Sequence, residues 1–341
     1  MTGSENITRS IEFRSPERLS VTVECNVDNL FEKNEAKASR IKTLQSRIPD
    51  DTMRWLGIWK EKTEKVTQDG KTRWLDEWSV GWVAWGLGHF AEGRPLEEGF
   101  HKLATYEFPD PLRPGRFDED DKKLQDRRGR YARPQVWYTI LERLWMLRGF
   151  DNILMDPYTD LANFERLRDR LVEIDLAMVD LWLPRKPEGI IFSDDWGTQR
   201  GMIISPDDWR RLYKPSYAKL FRRVRDGGAH VWMHSCGNIL PIIGDLVDIG
   251  LSVLNPIQSQ AMDVRVLARE FAGRLCFNGG INSQGAMIFG SPEEVAREVH
   301  TMVELFGSRG GGYIADTSQT IMMETPLDNL IALYETLLVY A

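Results

Sequence analysis

Residues 229–238, with the sequence AHVWMHSCGN, decide how the rest of the chain is interpreted. Residues 231–233 predict a buried strand, because β-branched and aromatic residues pack well in sheets. His234 and Cys236 follow two residues apart, so in extended backbone both side chains point to one side. Gly237 then allows a sharp turn. An imidazole and a thiol placed together at a strand end are half of a site for zinc or a similar cation.

Strands and helices alternate on both sides of this stretch. Strands are predicted at 189–193, 230–233, 251–254, 274–278 and 312–314, and helices begin near Ser205, Ile239, Val264, Ser291 and Thr325. Three of these helices start with Ser or Thr, then Pro, then an acid two residues later, a sequence that satisfies the first backbone N–H groups. Repeated strand–helix units favour parallel strands. We therefore predict an α/β fold, a distorted (β/α)8 TIM-like barrel with an N-terminal helical and loop extension.

The first half of the chain has a less regular pattern. We predict a strand at 18–25, solvent-facing helix and loop over 31–70, and loops over 88–130. A strand at 134–139 and helices at 140–148 and from Thr159 to about 183 follow. In the second half, the helix that begins at Ser205 is predicted to end near residue 225. Residues 1–125 are expected to supply the first strands, helices and pocket-covering loops, and 126–341 the main part of the barrel. Trp74, Trp78 and Trp82 are four residues apart, which is typical of the buried stripe of a helix. The alternative is that Asp76 and Glu77 form a carboxylate pair at a pocket rim.

Composition excludes several classes of protein. The 341 residues carry a formal net charge of −7 and a pI of about 5.5, which gives no basic footprint for nucleic acid. No apolar run approaches the roughly 20 residues that cross a bilayer, and the N-terminal residues lack the pattern of a signal peptide. Three cysteines do not suggest a disulfide framework. We expect a cytoplasmic protein that binds neither nucleic acid nor membrane.

Polar residues collect where the predicted strands end. They are Asp194 and Asp195, His234 and Cys236, Asn255, Asn278 and Asn282, and Asp316 and Gln319. In a barrel the chemistry lies at the carboxyl ends of the strands, so this pattern indicates an enzyme. Adjacent aspartates point in different directions, so at most one of Asp194 and Asp195 faces the pocket. Cys276 is predicted to be core, and His230 to lie at the opposite strand end.

These residues carry a resemblance to a known family. Residues from about 130 to 341 resemble the uroporphyrinogen decarboxylase superfamily in RGFDNILMD at 148–156, DDWGTQ at 194–199, HSCG at 234–237, NGGIN at 278–282, and GGYI at 311–314 leading to Thr325-Pro326. The DEW segment at 76–78 is similar to one in methyltransferase-like members. The resemblance implies the distorted (β/α)8 barrel and one of two activities.

One implied activity is decarboxylation of uroporphyrinogen without a cofactor, in members with an arginine-rich N-terminal loop that has no convincing match here. The other is methyl transfer between a corrinoid protein and a small donor or acceptor, in members that hold zinc with a His-x-Cys pair and a later Cys. His234 and Cys236 match the pair, but Gln319 stands where the later Cys is expected. A carboxylate such as Asp195, Asp316 or Glu77 is then the alternative third ligand. An O-demethylating or other methyltransferase with a mixed N/S/O site suits these residues better.

The prediction is therefore a zinc-assisted methyltransferase that acts between a small methylated substrate or acceptor and a corrinoid (methylcobalamin) protein, with His234 and Cys236 as metal ligands. The predicted catalytic residues are Asp194, Asp195 and Gln319, and the predicted substrate-binding residues are Asp76, Glu77, Gln199, Asn255 and Asn282. The resemblance also makes a homodimer an expectation. The alternatives are a uroporphyrinogen-type decarboxylase and a non-catalytic barrel that binds a tetrapyrrole.

Overall fold

Parallel strands form the central layer of the structure, a computed structural model that describes residues 1–23, 25, 34–57, 59–85 and 88–341. The parallel strands are β1 (Ser20–Val21), β2 (Thr52–Met53), β7 (Tyr131–Ala132), β8 (Gln135–Val136), β9 (Gly189–Ser193), β10 (His230–His234), β11 (Val253–Ile257), β12 (Cys276–Ile281) and β13 (Tyr313–Thr317). They pair in the order β1-β13-β12-β11-β10-β9-β8, with β2 and β7 in a second parallel sheet. Only Arg133 and Pro134 separate β7 from β8. The fold is the TIM-barrel-like α/β fold that the sequence predicts.

Side chains join β1, at one end of the seven-stranded sheet, to β2 of the two-stranded sheet. No backbone ladder links them within the part of the chain that the structure describes. At their amino ends, the Arg18 guanidinium donates to both carboxylate oxygens of Asp51 at 2.6 and 2.7 Å. At their carboxyl ends, Arg54 Nη1 donates to the Thr22 carbonyl at 2.5 Å. We call these contacts the β1–β2 seam.

Helices pack against the parallel strands. They are Gly3–Ile11, Glu35–Gln45, Asp118–Gln125, Leu141–Arg148, Phe150–Thr159, Leu161–Trp182, Pro206–Leu212, Lys214–Asp226, Leu240–Asp248, Val264–Phe271, Ala286–Phe289, Pro292–Met302 and Leu327–Leu337. The helix Pro292–Met302 begins with a complete capping box between Ser291 and Glu294, as its sequence predicts. Within the described ranges, no helix has the length and apolar character to cross a membrane.

Side chains alternate along the strands, so that every second residue points to the interior. One interior layer is apolar and contains Tyr131, Ile191, Trp232, Val253, Cys276 and Ile314, packed against Ile7 and Ile11 of the N-terminal helix. Cys276 is fully buried there, which confirms that it is core. Two residues further along the strands the interior layer becomes polar, with Ser193, His234, Asn255, Asn278 and Asp316. The change from apolar to polar interior positions the site at the carboxyl ends of the strands.

The helix prediction for Trp74, Trp78 and Trp82 is wrong. Four strands form an antiparallel sheet here, β3 (Val66–Gln68), β4 (Lys71–Leu75), β5 (Gly81–Trp85) and β6 (Gly88–Gly93). Trp74 and Trp82 face each other across β4 and β5. Asp76 turns the chain between them, because its carboxylate accepts from the backbone N–H groups of Trp78 and Val80 at 2.9 and 3.0 Å. We call residues 66–93 the inserted sheet.

Other element boundaries also differ from the sequence predictions. The strand expected at 18–25 is limited to Ser20–Val21, and Glu24 lies outside the described residues. The helix expected from Ser205 to 225 breaks at Tyr213, and a new helix starts with Pro215 in its first turn. The helix Leu161–Trp182 is capped by Asp160 instead of Thr159, which ends the preceding helix. The two helix differences follow from local features, Pro215 and the Asp160 cap, that the hydrophobic pattern does not encode.

Candidate metal centre

Three potential ligand atoms converge at the carboxyl ends of β9 and β10. The imidazole of His234, the thiol of Cys236 and the carboxylate of Asp195 place one ligand atom each within 4.8 Å of one another. His234 Nε2 lies 3.4 Å from Cys236 Sγ and 3.7 Å from Asp195 Oδ1. We call these residues the triad. It contains both predicted metal ligands and one of the carboxylates considered as a third.

Two glycines allow the two strand-end loops to meet. Gly237 has a φ of +79°, and a Cβ atom added to it would lie 2.2 Å from the carbonyl carbon of Gly197. A Cβ atom added to Gly197 would lie 2.5 Å from the backbone nitrogen of Asn238. Only glycine tolerates such an approach. The contact brings the loop after β9 against Cys236, whose backbone N–H donates to Asp195 Oδ1 at 2.7 Å.

The donor set and its spacing fit zinc. Ligand atoms around a tetrahedral zinc with bonds of about 2.0–2.3 Å lie roughly 3.3–3.8 Å apart. The two distances from His234 Nε2, 3.4 and 3.7 Å, agree with that spacing. Nitrogen, sulfur and oxygen donors together suit a borderline cation better than calcium or magnesium. Three protein ligands leave a fourth position for a substrate, as in catalytic zinc sites.

The environment of Cys236 disfavours a thiolate that has no compensating charge beside it. Burial, and then the Asp195 carboxylate, raise the pKa of the Cys236 thiol above its ordinary value. A thiolate forms there when a metal ion supplies the compensating charge. Gln319 Nε2 donates to Cys236 Sγ at 2.8 Å. Gln319 therefore lies beside the sulfur, at the place where the family resemblance implies a third ligand, and presents a donor group instead of a ligand.

A chain of hydrogen bonds sets the tautomer of His234. Its Nδ1 lies 2.7 Å from Asn255 Oδ1, and Asn255 Nδ2 donates to Asn278 Oδ1 at 2.6 Å. Asn278 Nδ2 donates to Thr22 Oγ1 at 2.9 Å, and Thr22 Oγ1 donates to Asp316 Oδ2 at 2.7 Å. Because the Asn255 oxygen accepts, Nδ1 carries the proton and Nε2 keeps a free lone pair toward the triad. We call this chain the His234 relay.

Asp194 lies outside the triad. Its Oδ2 accepts from the Ile140 N–H at 2.7 Å and its Oδ1 from the Glu142 N–H at 2.8 Å. The Tyr217 hydroxyl donates to the same carboxylate. The side chain thus holds the start of the helix Leu141–Arg148, where a carboxylate is stabilised by free N–H groups. Burial is the main cause that raises the pKa of Asp194 to about 6.

Two residues near the triad were missed by sequence reasoning. Glu142 is buried, and Ser193 Oγ donates to it at 3.1 Å. Burial, followed by the nearby Asp195 and Asp194 carboxylates, raises the pKa of Glu142 well above its ordinary value. Trp137 packs its ring against the His234 ring, with 5.1 Å between centroids. Both follow β8, the strand before β9, and only their position after a strand end could have indicated a role.

The remaining predicted substrate-binding residues are spread over the same face. Glu77 is held by Arg116, whose Nη1 and Nη2 donate to its two oxygens at 2.9 and 2.7 Å. Asp76 accepts from Trp82 Nε1 at 2.9 Å within the inserted sheet. Asn282 accepts from Gln260 Nε2 at 2.5 Å. Gln199 is exposed in the loop after β9. Among the five, Asn255 is the one in contact with a triad residue.

A cavity of about 410 Å3 opens between the inserted sheet and the loop after β8. Its walls are mainly aromatic, and its lining residues are Trp55, Trp59, Lys60, Glu61, Trp74, Asp76, Trp82, His89, Gln135, Trp137, Tyr138 and Arg143. Trp137 belongs to this wall and also packs on His234. The volume lies in the range of small-molecule sites. Trp137 therefore contacts the cavity on one side and a triad residue, His234, on the other.

Comparison with known proteins agrees with this architecture. A methyltransferase from Methanosarcina mazei aligns over 99% of this chain and 98% of its own, with a TM-score of 0.69 and 14% identity. A xylose isomerase-like TIM barrel protein from Mycobacterium smegmatis, in complex with magnesium, aligns over 71% of this chain and 88% of its own, with a TM-score of 0.39 and 13% identity. The first likeness shows a shared fold, and the second is too weak to support an argument.

The family assignment comes from a sequence comparison. No curated protein matches the chain. The family model for uroporphyrinogen decarboxylase (URO-D) matches residues 144–338, which is more than half of the 341 residues. The matched range contains β9 to β13 and the whole triad. The chain belongs to the uroporphyrinogen decarboxylase family.

Proposed function

We propose that this protein is a zinc-assisted methyltransferase that moves a methyl group between a small substrate and a corrinoid carried by a partner protein. The observation that carries the proposal is the convergence of Asp195, His234 and Cys236 within 4.8 Å at the strand ends of a barrel. A decarboxylase of the family type acts without a cofactor and has no use for such a donor set. The protein of the same fold from Methanosarcina mazei is named a methyltransferase, which favours the same reaction class.

The residues divide into those that hold the metal and those that support them. His234, Cys236 and Asp195 would hold zinc, which supplies a Lewis acid toward the heteroatom of the substrate when bound. The His234 relay keeps Nε2 unprotonated. Gln319 donates to the Cys236 sulfur and so reduces its negative charge. Burial and the nearby Asp195 and Asp194 carboxylates raise the pKa of Glu142, which favours the protonated form of its carboxyl group.

Metal analysis of purified protein tests the zinc part of the proposal. We expect about one zinc per chain in the wild type and a loss of most of it in His234→Ala, Cys236→Ala and Asp195→Ala. His101→Ala and Cys25→Ala are matched controls, because neither residue belongs to the triad, and both should keep the metal. A wild type without stoichiometric metal, with the three variants unchanged in methyl transfer, contradicts the zinc assignment.

The corrinoid part needs a separate assay. Protein incubated with free cob(I)alamin and a panel of methylated compounds, or with methylcobalamin and a panel of acceptors, should change the visible absorption of the corrinoid. The change should disappear in His234→Ala and remain in His101→Ala. Release of carbon dioxide from a porphyrinogen, with no corrinoid reaction under any of these conditions, would instead establish the decarboxylase alternative.

A further inference from the structure

Three loops at the carboxyl ends of neighbouring strands contain no charged residue. They follow β11, β12 and β13 and have the sequences QSQAM at 258–262, NSQGAMIFGS at 282–291 and SQTIMM at 318–323. Charged residues make up 28% of the chain, so about six would be expected among these 21 residues. The loop after β9, by contrast, contains Asp194, Asp195 and Arg200. We call the three uncharged loops the neutral rim.

Hydrogen bonds join the three loops into one surface. Gln260 Nε2 donates to Asn282 Oδ1 at 2.5 Å, which links the first loop to the second. The Ser283 backbone N–H donates to Ser318 Oγ at 3.3 Å, which links the second loop to the third. The neutral rim is therefore continuous across the ends of β11, β12 and β13.

The neutral rim also reaches the triad at two points. In the first loop, Gln258 Oε1 accepts from the backbone N–H of Gly237, the residue after Cys236, at 2.7 Å. In the third loop, Gln319 Nε2 donates to Cys236 Sγ at 2.8 Å. A molecule that approaches the triad and is wider than it therefore meets uncharged loops on this side.

Two exposed amides of the neutral rim keep hydrogen-bonding groups for a ligand. Gln260 and Gln284 are both exposed, and Gln260 Nε2 lies 3.5 Å from Gln284 Oε1. Among the described residues, neither Gln260 Oε1 nor Gln284 Nε2 has a hydrogen-bond partner. A free acceptor beside a free donor is the complement of a carboxamide, which offers one N–H group as donor and one oxygen as acceptor.

The same loops expose large apolar side chains. Phe289 is 83% exposed and Met323 is 49% exposed. Aromatic residues and methionine are enriched in the central part of protein interfaces, from which charged residues are depleted. The composition of the neutral rim is therefore that of an interaction surface, and it fits a ligand that combines uncharged carboxamides with apolar groups.

We infer that the neutral rim receives the edge of the partner protein's corrinoid. The inference rests on the proposed function and names the surface that holds the partner's cofactor. A corrin ring is fringed by carboxamides and methyl groups and is wider than the triad, so a ring positioned for methyl transfer extends over the adjoining loops. Gln260 accepts from a carboxamide N–H of the ring, and Gln284 donates to a carboxamide oxygen. Uncharged loops are easier to desolvate than charged loops, which favours a neutral ligand here.

Equilibrium dialysis of the full-length protein tests the chemistry of the ligand. The probes are dicyanocobinamide, whose corrin carries carboxamides, and dicyanocobyrinic acid, the same ring with carboxylates in their place. We expect cobinamide to bind at least about tenfold more tightly, because a carboxylate has no N–H donor and is harder to desolvate. Sodium chloride at about 0.5 M screens the repulsion between the acid and the net charge of −7. Equal or tighter binding of the acid overturns the inference, as does an absence of saturable cobinamide binding.

A single substitution locates the binding. In Gln284→Glu a carboxylate of the same size replaces the free donor, which should weaken cobinamide binding about tenfold. Gln125→Glu is the matched control, because Gln125 is an exposed glutamine at the end of the helix Asp118–Gln125, outside the neutral rim. This control should bind cobinamide as the wild type does. Equal binding by Gln284→Glu and the wild type contradicts the inference.

The proposed function and the role of the neutral rim fail in different ways. Preferential binding of cobinamide that is lost in Gln284→Glu, by a protein without zinc or methyl transfer, supports the neutral rim and contradicts the proposed function. Zinc and methyl transfer in the wild type, with cobinamide binding unchanged in Gln284→Glu, leave the proposed function and overturn the inference. Both measurements use the same preparation, so each result is assigned to one proposal.

Discussion

His234 is oriented by a chain of side chains on the Nδ1 side of its ring. Asn255, Asn278, Thr22 and Asp316 come from four strands or strand ends and lie in one polar interior layer. Each donates to the next, and the acceptor role of the Asp316 carboxylate at the end of the chain sets the direction of the hydrogen bonds. A histidine held in this way already has the tautomer that binds a metal, so metal binding requires no change of tautomer.

Removal of Asn255 should weaken the metal site without removing a ligand. In Asn255→Leu the Nδ1 proton of His234 loses its acceptor, and outer partners of this kind contribute about 10- to 100-fold to metal affinity. Competition with a zinc-binding dye measures the change. Asn282→Leu is the matched control, since Asn282 bonds Gln260 on the same face and makes no contact with the triad. Equal zinc affinity of Asn255→Leu and the wild type would contradict the role of the relay.

Asp316, at the far end of the relay, should make stability depend on pH. Burial is the main cause that raises its pKa to about 6, above the ordinary value of 3.8. The unfolded chain therefore loses this proton more readily, and wild-type stability falls as the pH rises from about 4 through 6. Asp316→Asn lacks this loss. In urea titrations, the free energy of unfolding of Asp316→Asn relative to that of the wild type should rise by about 1–2 kcal/mol between pH 4.5 and 7.5. The change stays in this range because the Asp316 side chain of the wild type keeps some solvent contact.

At the scale of elements, two adjacent aspartates serve different structures. Asp194 is fully buried and holds the first N–H groups of the helix Leu141–Arg148. Asp195 turns toward Cys236 and His234. The sequence expectation that at most one of them faces the pocket is consistent with this arrangement. Which one does so depends on where the helix starts in space, which the strand pattern alone does not define.

Asp194 and Asp195 are adjacent in sequence, but we expect their replacement to have opposite effects on stability and on zinc binding. Asp194→Ala leaves buried N–H groups without an acceptor and should lower the free energy of unfolding by at least about 2 kcal/mol, while folded protein keeps its zinc. Asp195→Ala should lose zinc and change the stability of the metal-free protein by less than about 1 kcal/mol, since its side chain is about one-third exposed. Urea titration and metal analysis on the same samples check both. Loss of zinc in folded Asp194→Ala would show that Asp194 is also needed by the metal centre.

The elements of the second half were predictable because their signals are local. Ser205, Ser291 and the strand 230–233 each carry their capping or packing pattern within a few residues. Trp74 and Trp82 were misassigned for the opposite reason. Their four-residue spacing to Trp78 is compatible with a helix, but Asp76 and the positive φ of Ser79 turn the chain between them. Turn chemistry overrides periodicity there, and pairing across β4 and β5 is visible only in the fold.

The site was predictable to the same extent. His234 and Cys236 are two apart on one strand end, so their convergence follows from strand geometry. Asp195 and Gln319 reach them from neighbouring strands, and the sequence indicates the face but not the contact. Glu142 and Trp137 carry no motif, and their roles depend on how β8 is placed beside β9.

At the scale of the whole molecule, β1 at one end of the seven-stranded sheet is connected to β2 of the two-stranded sheet. The β1–β2 seam joins them through side chains, with Arg18 and Asp51 at one end and Arg54 and the Thr22 carbonyl at the other. Thr22 is also a member of the His234 relay. The seam therefore supports both the arrangement of the strands and the polar interior layer. Loss of these contacts should affect the metal centre as well as the stability of the fold.

Arg18→Met tests how much the β1–β2 seam contributes to the stability of the fold. Asp51 is 3% exposed and would be left as a buried charge without its partner, which lowers the free energy of unfolding by about 3–5 kcal/mol. The double variant Arg18→Met/Asp51→Asn removes the unpaired charge and should regain at least about half of that loss. Arg223→Met is the matched control, because the Arg223–Asp180 pair is exposed and contributes less than about 1 kcal/mol. Urea unfolding followed by tryptophan fluorescence measures all three. If Arg18→Met behaves like Arg223→Met, the seam is dispensable, and the contacts within β13-β12-β11-β10-β9-β8 are sufficient to hold the strands together.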